Sequence, residues 1–284
     1  MKMISGFCLA ICLAAPIHAQ PTAREIWRSH AVERPEAVHV PFESDWAIIG
    51  NQGPEEAEAG GYLSRFNLVT GEFQPRWAEG FDGPLGIISD ENAVYFSDRG
   101  ERVIVLDRST GREINRIEAP ESAGLLNDLA IDDHGALWAS DTRTDAVYRY
   151  QDNQWQRVAE GMAFQGANGI EYVDGWIYVV CSSGVGNLVR LDPETLEYTL
   201  LLEGEGSLDG VVTDGRGGLI LSDLQGRLLH WNEAVGITLL DGFEDEEIML
   251  NSTGGTPDGR LILSPHWSQS QLSLHEVTYP SPAD

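Results

Sequence analysis

The chain of 284 residues carries one 17-residue segment six times, and this repeat constrains the fold more than any other feature. The six copies align without gaps, apart from a one-residue slip late in the fourth. They begin at Arg34, Asp82, Leu125, Gly166, Ser207 and Met249. Each copy indicates a strand, a tight Asp/Gly turn and a second strand, and a further alternating stretch follows most copies. A period of about 43 residues with several strands per unit is typical of a β-propeller blade.

The last copy is shorter than the others. The stretch from Asn251 to Tyr279 has room for three strands, so we predict that the fourth comes from the amino terminus, around Glu25–His30. A strand borrowed in this way closes the ring and removes exposed sheet edges. The sequence therefore predicts an all-β chain in which residues 20–284 form one six-bladed β-propeller. The alternative is a β-sandwich with evenly spaced turns, and six copies in phase argue against it.

Residues 1–19 have the layout of a secretory signal peptide. Lys2 precedes an apolar run from Phe7 to Ala15, and the small residue Ala19 marks the expected cleavage site. The run is too short to span a membrane. We therefore expect an exported protein, periplasmic or extracellular, with no membrane insertion after cleavage. Cys181 is then the one cysteine of the mature chain, and its place after an apolar run predicts a buried structural thiol.

The charge balance limits the partners. Asp and Glu number 45 against 18 Lys and Arg, which gives a formal net charge of −27. Such a surface repels phosphate backbones and anionic lipid headgroups, so nucleic acid and membrane surfaces are not expected partners. The sequence also contains no Gly-rich phosphate loop and no HExxH, CxxC or GxSxG motif. Nucleophilic serine catalysis therefore has no support.

Two positions of the repeat are rich in Asp, Asn and Gly. The first is the hairpin turn: Asp132-Asp133-His134-Gly135, Asp214-Gly215-Arg216-Gly217 and Asp258-Gly259. Asp and Gly tolerate left-handed backbone angles, so we assign these residues to turn structure. Their spacing does not fit an EF-hand loop.

The second position is the third residue of each copy, at the start of the innermost strand. It holds Glu36, Pro84, Asn127, Asn168, Asp209 and Asn251. Equivalent positions on successive blades form a ring at one mouth of the channel, and five of these six side chains carry oxygen. Converging carboxylates and amides remain unsatisfied unless a cation or ordered water lies between them. This donor set suits one divalent cation, calcium rather than magnesium, although Asn-Asp, Asn-Gly and Asp-Gly are also common turn dipeptides.

These motifs resemble the senescence-marker-protein/gluconolactonase family, which includes luciferin-regenerating-enzyme-like proteins. The matching motifs are Pro35-Glu36, Asn127-Asp128 with WASD downstream, Asn168-Gly169 and Asp209-Gly210, within a resemblance that covers about residues 33 to 265. Members are six-bladed, calcium-dependent propellers that also resemble the paraoxonases. The resemblance implies Glu36, Asn168 and Asp209 as metal ligands, with Asn127 in contact with metal, water or substrate.

The sequence also departs from that family. Sugar-lactone members often carry an Arg two residues before the Asn of the third blade, where this chain has Leu125. An apolar residue there favours a less polar ester or lactone. Paraoxonase-like enzymes have a second Asn after the metal-binding Asp, but Gly210 follows Asp209 here. The histidine pair that those enzymes use has no evident counterpart.

The sequence thus predicts an exported, calcium-dependent hydrolase of a lactone or related ester. Asp209 is the candidate general base, and the substrate-binding candidates are Asn127, Asn251, Leu125 and His266. We expect His266 at the rim, where it titrates near neutral pH, unless it is a surface histidine without a role. The Asp of the repeated Ser-Asp pair is expected to form strand-end turns. The alternatives are phosphotriesterase activity at the same site and a non-catalytic binding or scaffold propeller, with a structural calcium or none.

Overall fold

Twenty-four strands form six four-stranded antiparallel sheets in the described part of the chain. The computed structural model describes residues 20–54, 59–184, 186–242 and 248–280. The signal peptide expected at residues 1–19 lies outside these ranges. Within them the only helical element is a 3-10 turn, Met162–Phe164, and no helix is long and apolar enough to cross a membrane.

The strand bounds follow the repeat. In chain order the strands are β1 (Thr22–Ser29), β2 (Pro35–His39), β3 (Trp46–Asn51), β4 (Gly61–Asn67), β5 (Phe73–Phe81), β6 (Pro84–Ser89), β7 (Ala93–Asp98), β8 (Arg102–Asp107), β9 (Glu113–Glu118), β10 (Leu126–Ile131), β11 (Leu137–Asp141), β12 (Ala146–Gln151), β13 (Gln154–Glu160), β14 (Ala167–Val173), β15 (Trp176–Cys181), β16 (Leu188–Leu191), β17 (Tyr198–Leu202), β18 (Leu208–Thr213), β19 (Leu219–Asp223), β20 (Arg227–Asn232), β21 (Gly236–Gly242), β22 (Gly254–Gly255), β23 (Leu261–His266) and β24 (Gln271–Thr278).

Each sheet is one blade of a six-bladed β-propeller, as the repeat predicts. Blades 1 to 5 consist of β2–β5, β6–β9, β10–β13, β14–β17 and β18–β21, and blade 6 has the order β1-β24-β23-β22. The innermost strands β2, β6, β10, β14, β18 and β22 contact one another in a closed ring. The evenly spaced turns therefore belong to a propeller, and the β-sandwich alternative is wrong.

The amino-terminal strand closes the ring. β1 is the outermost strand of blade 6 and pairs antiparallel with β24, with Thr22 opposite Thr278 and Ser29 opposite Leu272. The strand begins slightly earlier than the predicted segment, but its place in the last blade is confirmed. By covering the outer edge of β24, it leaves each blade with the same four-stranded width.

Apolar side chains hold neighbouring blades together. The described residues contain six apolar clusters, and each one lies between two adjacent blades. Between blades 1 and 2, for example, the rings of Phe81 and Phe96 meet edge to face at 4.7 Å. Cys181 is fully buried in the cluster between blades 3 and 4, where burial raises the pKa of its thiol to about 12. The prediction of a structural cysteine is confirmed.

The hairpin aspartates stabilise the turns between the first and second strands. Asp132 accepts hydrogen bonds from the backbone N–H of Ala136 at 2.9 Å and from the indole N–H of Trp138 at 2.8 Å. In blade 5, Asp214 makes the equivalent side-chain contact with Nε2 of His230, also at 2.8 Å. Both carboxylates are therefore bound within their own blade, which confirms that they serve turn structure.

Candidate functional site at the channel mouth

The innermost strands bring the predicted ring residues together at one end of the channel. The relative exposures are 6% for Glu36, 5% for Asn127, 5% for Asn168, 2% for Asp209 and 8% for Asn251. Across three blades the amides form a chain of hydrogen bonds: Asn127 Nδ2 donates to Asn168 Oδ1, and Asn168 Nδ2 donates to Asp209 Oδ2, both at 3.0 Å. Pro84 takes the sixth position and contributes no side-chain oxygen.

Blades 6 and 1 are joined at the mouth by direct backbone pairing. The N–H of Ser252 donates to the carbonyl of Glu36, and the N–H of Val38 donates to the carbonyl of Ser252, both at 3.0 Å. This pairing sets Asn251 beside Glu36, and the Asn251 amide opposes the effect of burial by lowering the pKa of the Glu36 carboxyl. Side-chain hydrogen bonds therefore join the ring residues of blades 3 to 5, and backbone hydrogen bonds join blade 6 to blade 1.

In blades 3 to 5 a β-bulge lies at the ring residue. The pairing of the first and second strands shifts register between Leu126 and Leu129 in β10, and equivalent shifts occur in β14 and β18. A serine of the second strand donates a hydrogen bond to the ring carbonyl of the next blade: Ser97 to Asn127, Ser140 to Asn168 and Ser222 to Asn251. The extra residue of a bulge re-aims the side chains next to it. The Ser of the repeated Ser-Asp pair thus links one blade to the ring residue of the next.

The strand-end aspartates of that pair are structural, as the sequence predicts. Asp141 accepts hydrogen bonds from the backbone N–H groups of Gly124 at 2.7 Å and Leu125 at 3.0 Å. Asp223 binds the guanidinium of Arg227 at 2.6 Å. These carboxylates hold the turns at the mouth.

Several oxygen atoms at the mouth have no hydrogen-bond partner among the described residues. They are Oε2 of Glu36, Oδ1 of Asn127, Oδ1 of Asp128, Oδ1 of Asp209 and Oδ1 of Asn251. A buried oxygen without a partner costs about 1–3 kcal/mol, and more when it is charged. Five such atoms around one channel define a site that favours a positively charged ligand.

The carboxyl groups of the mouth have raised pKa values. Burial raises the pKa of Glu36 and of Asp209 well above the usual carboxyl range, and the negative charge of their carboxylate neighbours adds to the effect. Burial also raises the pKa of Asp128 to about 7, against the opposing effect of a hydrogen bond from Ser252. Three acidic groups in one desolvated site resist ionisation together. A bound cation would relieve this repulsion.

Asp128 and Ser252 belong to the site, although sequence analysis assigned them no role. Ser252 Oγ donates to Asp128 Oδ2 at 2.5 Å, and the two side chains are 8% and 5% exposed. The available signal was the Asn-Asp dipeptide, because an Asp inside the apolar stretch LNDLAI occupies a position that a regular strand fills with an apolar residue. The bulge turns both Asn127 and Asp128 towards the channel region.

Below the ring, a cavity of about 450 Å³ occupies the channel. Asp128, Glu171 and Ser252 supply polar atoms to its wall, among apolar neighbours such as Ile87 and Val211. Burial inside the channel raises the pKa of Glu171 to about 8, and the charge of Asp128 contributes. Glu171 is a second channel residue that sequence analysis did not identify.

The remaining substrate-binding candidates have different surroundings. Leu125 is partly exposed at the mouth, and its side chain packs against Gly100 in the β7–β8 turn. His266 is fully buried in blade 6, where its Nε2 lies 2.6 Å from Oγ of Ser273. Burial lowers the pKa of His266 to about 3. The prediction of a rim histidine that titrates near neutral pH is therefore wrong, because the end of β23 is covered by its neighbours.

The donor set fits a hard divalent cation better than a transition metal. In the described ranges no group of three or more His, Cys, Asp or Glu side chains is arranged to hold a metal ion, so a site here must use amide oxygens as well. Glu36 and Asp209 each offer an oxygen without a partner, and Asn168 Oδ1 keeps a second lone pair beside its bond from Asn127. Mixed carboxylate and amide oxygens are ligands of calcium.

Fold and site together define a six-bladed propeller with an acidic and amide-rich channel mouth. No protein-family profile matches the chain, and no curated protein does. Several solved structures, however, are similar to the chain in fold. Luciferin-regenerating enzyme is similar with a TM-score of 0.66 and 16% identity, over 91% of this chain and 95% of that one.

Two further solved structures share the fold. A catalytically inactive virginiamycin B lyase from Staphylococcus aureus, solved with quinupristin, has a TM-score of 0.66 and 12% identity over 90% of this chain and 99% of that one. The nidogen/laminin complex matches with a TM-score of 0.65 and 15% identity over 78% of this chain and 86% of that one. The neighbours thus include propeller enzymes and a binding propeller, and at these identities the likeness shows the fold alone.

Proposed function

We propose that this chain is an exported hydrolase of a lactone or related ester that requires one divalent cation, with calcium preferred. The observation that carries the proposal is the set of five buried oxygens without partners at the channel mouth. Two acidic side chains with neutral amides are a donor set that calcium accepts. The similarity in fold to luciferin-regenerating enzyme and virginiamycin B lyase supports an enzymatic use of such a propeller.

Each residue of the site has a chemical role in this proposal. Glu36, Asn168 and Asp209 would hold the cation, and Asn127 and Asn251 would contact the substrate. When bound, the cation would polarise the substrate carbonyl and stabilise the negative charge that develops on its oxygen. The strands orient these groups, because every ring residue except Asn251 lies on an innermost strand.

Asp209 is the proposed general base. Asn168 holds its Oδ2 at 3.0 Å, so Oδ1 would both face the cation with one lone pair and accept a proton from an attacking water with the other. A carboxylate in water is a weak base at neutral pH. Burial raises the pKa of Asp209, whereas a cation on the ring would lower it and so keep Asp209 ionised and able to accept a proton. Leu125 would contact an apolar part of the substrate. His266 is left out of the site because it is buried.

The competing proposal is a propeller that binds a partner and catalyses nothing. Its support is the shared fold with the nidogen/laminin complex. The two proposals differ at the mouth: an enzyme needs a cation that a substrate can reach, whereas a binding propeller needs only a surface.

The test is calorimetric titration of calcium into chelator-stripped mature protein, alongside Glu36→Gln and Asp209→Asn. Because a net charge of −27 attracts cations non-specifically, Glu113→Gln on the exposed outer strand β9 is the matched control. We expect binding near one ion per chain, lost in the two site variants and kept in the control. Lactones, carboxylic esters and phosphotriesters are then tested with and without calcium. No binding by the wild type would contradict the proposal and favour the binding propeller.

A further inference from the structure

Most arginines of this acidic chain are bound by acidic side chains or carbonyls, but four have no such partner in the part of the chain that the structure describes. In the described ranges the side chains of Arg34, Arg99, Arg112 and Arg143 make no hydrogen bond or ion pair. Carboxylates outnumber basic groups by 45 to 18, so an arginine without an acidic partner is unexpected. We therefore asked whether these four arginines lie near the channel mouth.

Three of the four lie at the channel mouth, on blades 1 to 3. Arg34 is two residues before Glu36, and its guanidinium lies over the ring of Trp267, 4.2 Å from the ring centroid. Arg99 is in the β7–β8 turn, and its Cγ lies 3.4 Å from the place where a Cβ on Gly83, next to Pro84, would be. We call Arg34, Arg99 and Arg143 the arginine arc.

Arg143 occupies the corresponding turn of blade 3. Its Cβ would lie 2.8 Å from a Cβ on Gly124, three residues before Asn127. Because neighbouring strands of a blade are antiparallel, the turn after the second strand lies at the same end as the start of the first strand. Arg99 and Arg143 are exposed, and both therefore flank ring positions on the solvent side.

Arg34 and Leu125 connect the arc to the site. Arg34 and Arg99 both have a left-handed φ, 49° and 51°, at the turns that carry them to the mouth. Leu125 packs against Gly100, directly after Arg99. Leu125 thus packs on the same turn that carries Arg99.

From this placement we propose that the arginine arc binds an anionic group of the substrate, so that the substrate is a lactone or ester that carries a carboxylate as well as the apolar part that Leu125 would contact. The inference rests on the proposed function. The ring carboxylates and the overall charge of −27 repel an anion, so a carboxylate-bearing substrate needs local positive charge. Arginine forms bidentate, charge-assisted hydrogen bonds with a carboxylate, which gives orientation as well as affinity.

The first test compares two esters with the same leaving group. The anionic one is 4-nitrophenyl hemisuccinate, and the neutral one is 4-nitrophenyl propionate. For the triple variant Arg34→Gln/Arg99→Gln/Arg143→Gln we expect the ratio of kcat/KM, anionic over neutral, to fall about tenfold, mainly through KM for the anion. High salt should lower the wild-type ratio in the same direction. An unchanged ratio would overturn the proposal.

Arg112 provides the matched control. It is exposed and has no side-chain partner in the described part of the chain, but it lies in the β8–β9 turn at the opposite end of the propeller. Arg112→Gln makes the same change in net charge as one arc substitution. We expect Arg112→Gln to leave the ratio of kcat/KM at the wild-type value. The single variant Arg99→Gln is measured beside it. An equal fall of the ratio in both single variants would show that overall charge causes the effect and would overturn the proposal.

A second measurement separates failure of the arc from failure of the proposed hydrolysis. Succinate is titrated by calorimetry into the calcium-saturated wild type, the triple variant and Arg112→Gln. Saturable binding that weakens about tenfold in the triple variant alone supports the arc even when neither ester is cleaved. Equal binding in all three proteins, or none, rejects the arc whatever the outcome for the esters.

Discussion

Asn168 donates a hydrogen bond from Nδ2 to Oδ2 of Asp209 at 3.0 Å, and Oδ1 of Asp209 is left buried without a partner at the channel mouth. The amide thus fixes the orientation of the carboxylate and leaves one oxygen for other chemistry. Asn168 is itself held by Asn127, which also donates to Oγ1 of Thr142 at 2.9 Å. A chain of hydrogen bonds that crosses three blades therefore positions Asp209, the general base of the proposed reaction.

Asp209→Asn should abolish hydrolysis. The substitution preserves the shape of the side chain but removes the negative charge, so we expect kcat for a cleaved ester or lactone to fall at least about a hundredfold. Because Asp209 is also a proposed cation ligand, steady-state kinetics are measured over rising calcium, up to concentrations far above the wild-type Kd. Asp133→Asn, the same change at the hairpin end of the channel, serves as the control. Full turnover by Asp209→Asn with calcium bound would show that Asp209 is not the base.

Calcium should raise the thermal stability of the protein. Binding at 100 times the Kd stabilises the folded state by about 2.7 kcal/mol, which raises the Tm of a chain of this size by roughly 5–10 °C. Glu36→Gln should lose this shift. It should also melt above the wild type in chelator, because it no longer buries the Glu36 charge beside Asp209 and Asp128. A calcium-dependent shift of the same size in Glu36→Gln would contradict the assignment of the site.

Without calcium, stability should fall as pH rises. Burial raises the pKa of Asp128 to about 7 and that of Glu171 to about 8, whereas these groups titrate near pH 4 in the unfolded chain. The folded state therefore holds protons that the unfolded chain releases, so the free energy of unfolding decreases from about pH 4 to about pH 8.

Glu171→Gln isolates one contribution to this pH dependence. Urea denaturation in chelator between about pH 5 and pH 8 should give a shallower slope for this variant than for the wild type. Glu113→Gln, a change on an exposed strand, should keep the wild-type slope. Parallel curves for Glu171→Gln and the wild type would show that Glu171 ionises normally inside the channel.

The fold was predictable because its determinants are local and repeated. Each blade needs the same alternation of strands and the same turn chemistry, and six copies of that pattern leave one arrangement in which every blade has two neighbours. The borrowed strand β1 followed from the shortness of the last copy. The register position of Glu36, Asn127, Asn168 and Asp209 was visible for the same reason.

The rest of the site depends on three-dimensional geometry that the spacing of residues in the sequence does not reveal. Asp128 and Ser252 meet across the channel although they are 124 residues apart, and a bulge decides which way Asp128 turns. Glu171 follows an apolar residue in an ordinary strand, so its place in the channel wall depends on how the six innermost strands are tilted together. His266 ends a strand, as rim residues do, but packing within blade 6 covers it.

Gly169 allows two blades to approach at the ring. A Cβ at this position would lie 2.4 Å from the backbone oxygen of Asp209. We expect Gly169→Ala to destabilise the protein by about 1–3 kcal/mol and to weaken calcium binding, because the blades must separate to admit the methyl group. Gly242→Ala is the control, since among the described residues the nearest atom to its added Cβ is 3.8 Å away. Equal urea midpoints for the two variants would contradict this account of the Asn-Gly motif.

The hairpin turn of blade 3 provides a test of the structural role of the repeated aspartates. Asp132 is 9% exposed and accepts bonds from Ala136 and Trp138, so Asp132→Ala leaves buried donors without a partner. We expect a loss of about 2–3 kcal/mol in the free energy of unfolding, measured with urea, and no change in calcium affinity. Asp133→Ala alters the adjacent, exposed carboxylate and should cost less than about 1 kcal/mol. If Asp132→Ala abolished calcium binding but kept wild-type stability, the turn aspartates would have to be reassigned to the metal site.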